Sequence, residues 1–166
     1  MDRQTAERNL YLGLGSNLGG REENLKSAMK LIEEKIGKVV SCSPFYATEP
    51  VGFVSDNFFL NCVCHVRTSK QALDVLKVSQ EIEILLGRRK KSMGGQYADR
   101  TIDIDILLID DLAMSHHQLE LPHPHMHERG FVVIPFADIA GETMHPTLKK
   151  TIGELKSEFL AANATK

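Results

Sequence analysis

The chain has 166 residues, with 22 acidic and 20 basic side chains and a formal net charge of −2 at pH 7. That length suits one domain with a core large enough to stand without disulfide or metal staples. The near balance of charge argues against a dedicated nucleic-acid or membrane-surface protein. No apolar run is long enough to span a bilayer, and the first eight residues lack the apolar core of a signal peptide. Cys42, Cys62 and Cys64 show no Cys-x-x-Cys spacing. They read as small buried hydrophobes in a reducing compartment, so a cytoplasmic location is expected.

Leu10 to Leu14 reads as a first strand, and Gly15 to Gly20 as a turn. Leu25, Ala28, Met29, Ile32 and Ile36 then recur at helical spacing. Glu22 and Glu23 favour the first turn of that helix, and Gly37 suits its C-terminal cap. Val39 to Tyr46 reads as a second strand, 48–53 as a loop, and Phe58 to Val66 as a third strand with Phe59 and Asn61 on one face. Cys62 and Cys64 fall on the other face with Leu60 and Val66. Ser69 is placed to cap a second helix whose inner face is Ala72, Val75, Leu76, Ser79, Ile82 and Leu86. Gln80 and Glu83 are neighbours on it, three residues apart, and Gly87 ends it. Residues 88–99 form a charged, glycine-containing loop, expected to be mobile and to act as a lid. A strand over 102–109 follows, then short elements near 119–121, a helix over 131–139 and a terminal helix over 151–160.

The order strand-helix-strand-strand-helix-strand is the α+β, ferredoxin-like arrangement: a mainly antiparallel sheet with helices on one face and the other face available for a site. One domain is expected over 1–166, with its core at about 9–155 and flexible termini.

In the strand Ile102-Asp103-Ile104-Asp105-Ile106, both aspartates point the same way, while Ile104, Ile106 and Leu108 point into a core. Paired carboxylates suit a hard divalent cation that also binds substrate phosphates. A solvated edge strand with two exposed acids is the competing reading. Arg88, Arg89, Lys90, Lys91 and Arg100 flank the pair, and arginine forks match phosphate oxygens. The glycine-rich Gly13-Leu14-Gly15-Ser16-Asn17-Leu18-Gly19 lacks the Gly-Lys-Ser/Thr of a P-loop and reads best as a tight turn. The histidine-rich stretch 122–129 has no cysteine and no helical His spacing, which argues against zinc. A histidine donating to phosphate fits it as well, with His125 and His127 as bystanders and His116 and His117 on a hairpin surface.

From Tyr11 to Leu155 the chain resembles the 6-hydroxymethyl-7,8-dihydropterin pyrophosphokinases of folate biosynthesis. The resemblance rests on the order and spacing of Gly13–Leu18, Tyr46–Gly52, Phe59-Leu60-Asn61, Gln80–Glu83, Gly87-Arg88, Asp99–Asp105, Leu121-Pro122-His123 and Arg129-Gly130-Phe131. It implies transfer of a diphosphate from ATP to the pterin hydroxymethyl group, leaving AMP, with two Mg²⁺ held by Asp103 and Asp105. By the same resemblance Gln80, Arg88, Lys90, Arg100 and His123 contact ATP, with Arg88 and Arg100 catalytic beside the two aspartates. Thr48, Val51, Phe59, Asn61, Glu83 and Phe131 match the pterin pocket, and Arg129 matches a residue of the same site. A flat heterocycle would fit between Phe59 and Phe131, with Asn61 offering a donor and an acceptor.

The chain departs from the family pattern at three places. Ala98-Asp99 replaces a Gly-Pro common in relatives, Pro124 follows His123 where a tyrosine is frequent, and there is no tryptophan for the lid. Tyr97 is the nearest aromatic to take that place. A monomer is expected, with ATP and the pterin as ligands and neither nucleic acid nor membrane as partner. A non-catalytic ferredoxin-like binding module and a metal-dependent phosphohydrolase remain as alternatives.

Overall fold

The structure is a computed structural model that describes residues 6–48, 58–87 and 101–164. The first strand, β1 (Arg8–Ser16), is longer than the aliphatic run that signals it, because both its ends stay paired to a neighbour. The first helix, α1 (Arg21–Lys35), buries Leu25, Ala28 and Ile32 at the expected spacing. Gly37 closes the helix with its N–H on the Ile32 carbonyl at 3.1 Å, though not in the left-handed conformation common at such ends. The helix ends at Ile36 in right-handed conformation, and a Cβ on Gly37 would lie 2.1 Å from the Arg67 carbonyl oxygen. Close approach of two backbones demands glycine there.

The expected second strand is two strands, β2 (Lys38–Cys42) and β3 (Tyr46–Thr48). Between them Pro44 lacks an N–H for a ladder, and the Ser43 hydroxyl accepts the Val63 N–H at 3.0 Å in place of a backbone carbonyl. Both strands pair along the same edge of β4 (Phe59–Thr68). The second helix, α2 (Ala72–Leu85), starts after Gln71, which caps it without a side-chain bond; Ser69 is not its cap. Gly87, at φ +112°, ends it as its position suggests.

The sheet order is β2–β4–β1–β5, with β5 (Asp103–Ile109) as an edge strand and β3 beside β4. Every pairing is antiparallel. This is the ferredoxin-like arrangement, and helices α1 and α2 bury its first core with Leu10, Leu12, Leu14, Cys62, Cys64 and Ile104. The other face is available for a site over only part of its length. After a small hairpin of β6 (Met114–His116) and β7 (Leu119–Leu121), helices α3 (Gly130–Ala140) and α4 (Ile152–Ala162) cover part of it. Tyr11, Val63, Leu107 and Leu108 form a second core there with Val132, Val133 and Phe136.

Leu108 therefore joins the opposite core from the one its alternation with Ile106 implies. A register shift causes this: Leu12 pairs with Ile106 but Tyr11 pairs with Leu108, so Leu107 is an inserted residue. A bulge reverses the facing of everything beyond it. Helix α4 is fixed by a capping box, in which the Thr151 side chain accepts the Glu154 N–H and Glu154 accepts the Thr151 N–H.

The approach of Gly37 to Arg67 predicts that Gly37→Ala destabilises the protein by about 1–3 kcal/mol, the usual cost of forcing atoms into filled space. Urea unfolding measures it. An unchanged midpoint would mean that the Arg67 carbonyl moves aside freely.

Candidate active site

Residues opposite one another in paired strands project from the same face. Tyr46, Asn61, Gly15 and Asp103 therefore form one row across the sheet, and Val63, Gly13 and Asp105 form the next. Thr48 and Phe59 make a third, shorter row. These rows lie on the face that α3 and α4 cover only in part. At the centre of that face β1 contributes no side chain at positions 13 and 15; the Leu107 side chain lies against Gly13, and the Gly15 backbone is the floor between Asn61 and Asp103.

The floor is occupied from one side. A Cβ on Gly15 would come within 2.7 Å of Asn61 Oδ1. Asn61 Nδ2 donates to Thr48 Oγ1 at 2.7 Å, which turns the amide carbonyl toward Gly15 as a hydrogen-bond acceptor. On the same row the Tyr46 hydroxyl donates to the Asp138 carboxylate of α3. That bond raises the Tyr46 pKa above its ordinary value and ties β3 to α3.

The other wall is β5. Asp103 and Asp105 are both half-buried on one face. Glu83 of α2, 6% exposed, accepts the N–H of the intervening Ile104 at 2.8 Å on Oε2. Glu83 thus secures the unpaired edge of the strand that carries both acids. Two strand spacings, about 10 Å, separate β5 from β4 and Asn61. Gln80 is exposed one turn earlier on the same helix.

His123 follows a cis Leu121–Pro122 bond, and its N–H donates to the Leu107 carbonyl at 2.9 Å. Its Nδ1 accepts the His125 N–H at 3.2 Å, so the ring proton belongs on Nε2. Burial, then the charges of Arg129 and His125, push the imidazole down to about 4, against an opposing pull from Asp103. At neutral pH it is an uncharged N–H donor near a carboxylate. Arg129 precedes α3, with its guanidinium carbon 6.0 Å from the centre of the half-buried Phe131 ring. His125 instead bonds Glu128 at 2.9 Å in an exposed pair.

Val51, Arg88, Arg89, Lys90, Lys91, Tyr97 and Arg100, and with them the 88–99 loop, lie outside the described residues. Among those described, Asn61, Thr48, Phe59, Asp103 and Asp105 share one sheet face. Glu83 reaches β5 from α2, where Gln80 is exposed one turn away, while His123, Arg129 and Phe131 belong to the segment from β7 into α3. Gly13 and Gly15 were not singled out as site residues by sequence reasoning. Their signal is present, since glycines two apart inside a strand mark close approach of a ligand or another group.

A family model described as 7,8-dihydro-6-hydroxymethylpterin-pyrophosphokinase (HPPK) matches residues 11–141. A 2-amino-4-hydroxy-6-hydroxymethyldihydropteridine pyrophosphokinase from Porphyromonas gingivalis is 46% identical over 138 residues, covering 82% of this chain and 93% of the relative. The enzyme of the same description from Bacillus subtilis is 39% identical over 130 residues, covering 78% and 76%. A crystal structure of an HPPK-DHPS in complex with substrates has a TM-score of 0.80 and covers 98% of this chain at 16% identity, a likeness of fold. This chain spans 45% of that longer one. The class is an ATP-dependent diphosphotransferase. The chain belongs to the 6-hydroxymethyl-7,8-dihydropterin pyrophosphokinase family, whose reaction is pyrophosphoryl transfer from ATP to the hydroxymethylpterin in folate biosynthesis.

Two outcomes test the geometry. Gly15→Ala displaces the Asn61 amide, the movable end of a side chain. It is therefore expected to lower turnover at least ten-fold, about 1.4 kcal/mol, while shifting the unfolding midpoint little; normal turnover would remove Gly15 from the site. His123 supplies the second. A folded pKa near 4 against an ordinary 6.5 means that the fold favours the neutral ring. Its contribution to stability is complete above pH 6.5 and is lost as pH falls toward 4. Burial lowers His65 and His145 as well, so the comparison is with His123→Gln, which should flatten part of that decline. NMR titration should place His123 near 4, and a midpoint at 6 or above would contradict this environment.

Proposed function

We propose that the hydroxymethyl oxygen of the pterin attacks the β-phosphorus of ATP on the sheet face described above. A bond forms between that oxygen and the β-phosphorus, the bond from the β-phosphorus to the α-phosphate bridging oxygen breaks, AMP leaves, and the hydroxyl proton passes to solvent. The observation that carries this reading is the row Asn61–Gly15–Asp103, which sets an amide acceptor and a carboxylate on either side of a floor without side chains.

Asp103 and Asp105 fit Mg²⁺. They are hard oxygen donors on one face, and no group of three His, Cys, Asp or Glu among the described residues could hold a metal ion by itself. Two carboxylates plus substrate phosphates are the usual magnesium shell, and the family resemblance supports two ions. Bound there, Mg²⁺ neutralises phosphate charge and lowers the pKa of an oxygen nucleophile. Phosphoryl-type transfer needs positioning and charge stabilisation more than covalent help.

In this reading Asn61 accepts a pterin N–H while Thr48 fixes the amide, and Phe59 and Phe131 contact the ring. His123 donates its Nε2–H to a phosphate oxygen. Glu83 holds β5 in place through Ile104, and its pterin contact is assigned from the sequence. Gln80, Arg88, Lys90 and Arg100 are assigned to ATP from the sequence, as is Arg129 to the same site, with Val51 and Tyr97 beside the pterin. No helix among the described residues is long and apolar enough to cross a membrane, and the reading includes a cytoplasmic, monomeric enzyme without nucleic-acid partners.

Incubation with ATP, Mg²⁺ and 6-hydroxymethyl-7,8-dihydropterin should release AMP in step with the pterin diphosphate. Pterin-dependent ADP, or nucleotide hydrolysis without pterin, would defeat the reading. Asp103→Ala and Asp105→Ala should each lower turnover by at least a hundred-fold, about 2.7 kcal/mol of transition-state stabilisation, with the fold retained by circular dichroism. Near-full activity in either variant would remove that aspartate from the metal site.

A further inference from the structure

The face of the sheet opposite the site carries a sulfur cluster that the reaction does not use. Cys42 ends β2, and Cys64 is directly opposite it on β4. In the adjoining pair, the Ser43 N–H donates to the Val63 carbonyl at 2.9 Å. Bonded and non-bonded pairs alternate along antiparallel strands, so Cys42 and Cys64 form a non-hydrogen-bonded pair, where Cα atoms lie about 4.5 Å apart and side chains are closest. A disulfide accepts Cα separations of about 4.4–6.8 Å. The two Sγ atoms are in contact at 2.6 Å, and Met29 Sδ is 3.8 Å from Cys42. All three cysteines are thiols, with Cys62 and Cys64 buried and Cys42 half-buried.

We propose that Cys42 and Cys64 are an oxidisable dithiol, converted by hydroperoxides to a cross-strand disulfide with Cys42 reacting first. The Cys42 thiolate attacks the outer peroxide oxygen. The O–O bond breaks, giving a sulfenic acid on Cys42 and water, or an alcohol from an organic hydroperoxide. The Cys64 sulfur then attacks the Cys42 sulfur, the S–S bond forms, the S–O bond breaks, and water leaves with the Cys64 proton. Two thiols are oxidised and one peroxide is reduced.

Access and acidity both select Cys42 as the first to react. It alone is reachable from solvent, and its contact with Cys64 lowers its thiol below the ordinary value despite partial burial. The same contact, with Cys62 and burial, raises Cys64. Closing this bond makes a loop of residues 43–63, which includes Thr48, Phe59 and Asn61.

The test treats the full chain with hydrogen peroxide, alkylates the remaining thiols, and cleaves before aspartate, so that Asp56 separates Cys42 from the other two cysteines. The expected result is a fall from three alkylated cysteines to one, with a linked peptide pair that reductant releases. Fragmentation of that pair should place the link on Cys64 in the unaltered chain, independently of any variant. The link should survive Cys62→Ser and vanish in Cys42→Ser. Three alkylated cysteines after oxidation, a Cys42 oxidised further without a link, or a link to Cys62 would each overturn the proposal. None of these readouts depends on the pyrophosphokinase reading.

Discussion

Strand β1 is hydrogen-bonded on both sides, to β4 and to β5, and its site face lacks side chains at positions 13 and 15. The rest of the site depends on this constraint. A fully paired strand cannot move out of the way of a ligand without breaking two ladders. Space above the sheet therefore has to come from omitting side chains, and glycine's loss of strand stability is tolerated because the neighbours hold β1 in place. On the other face the same strand is aliphatic, with Leu10, Leu12 and Leu14 buried in the first core. One strand thus anchors the fold below, and above it the missing side chains let Leu107, Asn61 and Phe59 lie close over its backbone.

The two helical layers divide the labour. Helices α1 and α2 make the core that any sheet of this topology requires, and α2 also sends Glu83 to the β5 edge. An unpaired edge leaves backbone N–H groups without ladder partners, and a buried carboxylate on the Ile104 N–H answers one of them between the two acids. Helices α3 and α4 cover the end of the other face where Tyr11, Val63, Leu107 and Leu108 are apolar, and α3 reaches the Asn61 row through Asp138 on Tyr46. The bulge at Leu107 makes that end apolar, because it brings two consecutive leucines of β5 to the same side. Toward the aspartates the covering stops, and His123 and Arg129 occupy the boundary. A neutral imidazole next to an arginine keeps N–H donors at that boundary without burying a second full charge.

The fold class was readable in the sequence because patterning and punctuation agreed: alternating leucines in β1, helical spacing in α1 and α2, and Gly87 at a left-handed helix end. Asp103 and Asp105 stood out for the same reason, two polar residues at strand period within an aliphatic run. What was not readable came from tertiary contact. Gly37 closes α1 as its position suggests, but the approach of Arg67, which bars any side chain there, is not visible in one dimension. Leu108 changes sides through a bulge that no local propensity marks. The bond of Glu83 to the Ile104 N–H is visible only once α2 is placed against β5. Helices α3 and α4 were expected as elements, but the face that they cover is set by Tyr11, Val63 and Phe136 packing together.

In the proposed function, the aspartate face of β5 and the glycine positions of β1 together receive the metal-bound nucleotide. The most direct measurement replaces Mg²⁺ with paramagnetic Mn²⁺ in the presence of a non-hydrolysable ATP analogue and records backbone amide broadening by NMR. The account predicts broadening centred on residues 13–15 and 103–106 and extending to His123. Asp110 and Asp111, some 20 Å along the strand direction from Asp103, should keep their signals. Broadening centred on Asp110 and Asp111, or on the exposed His125–Glu128 pair, with residues 13–15 unaffected, would contradict it.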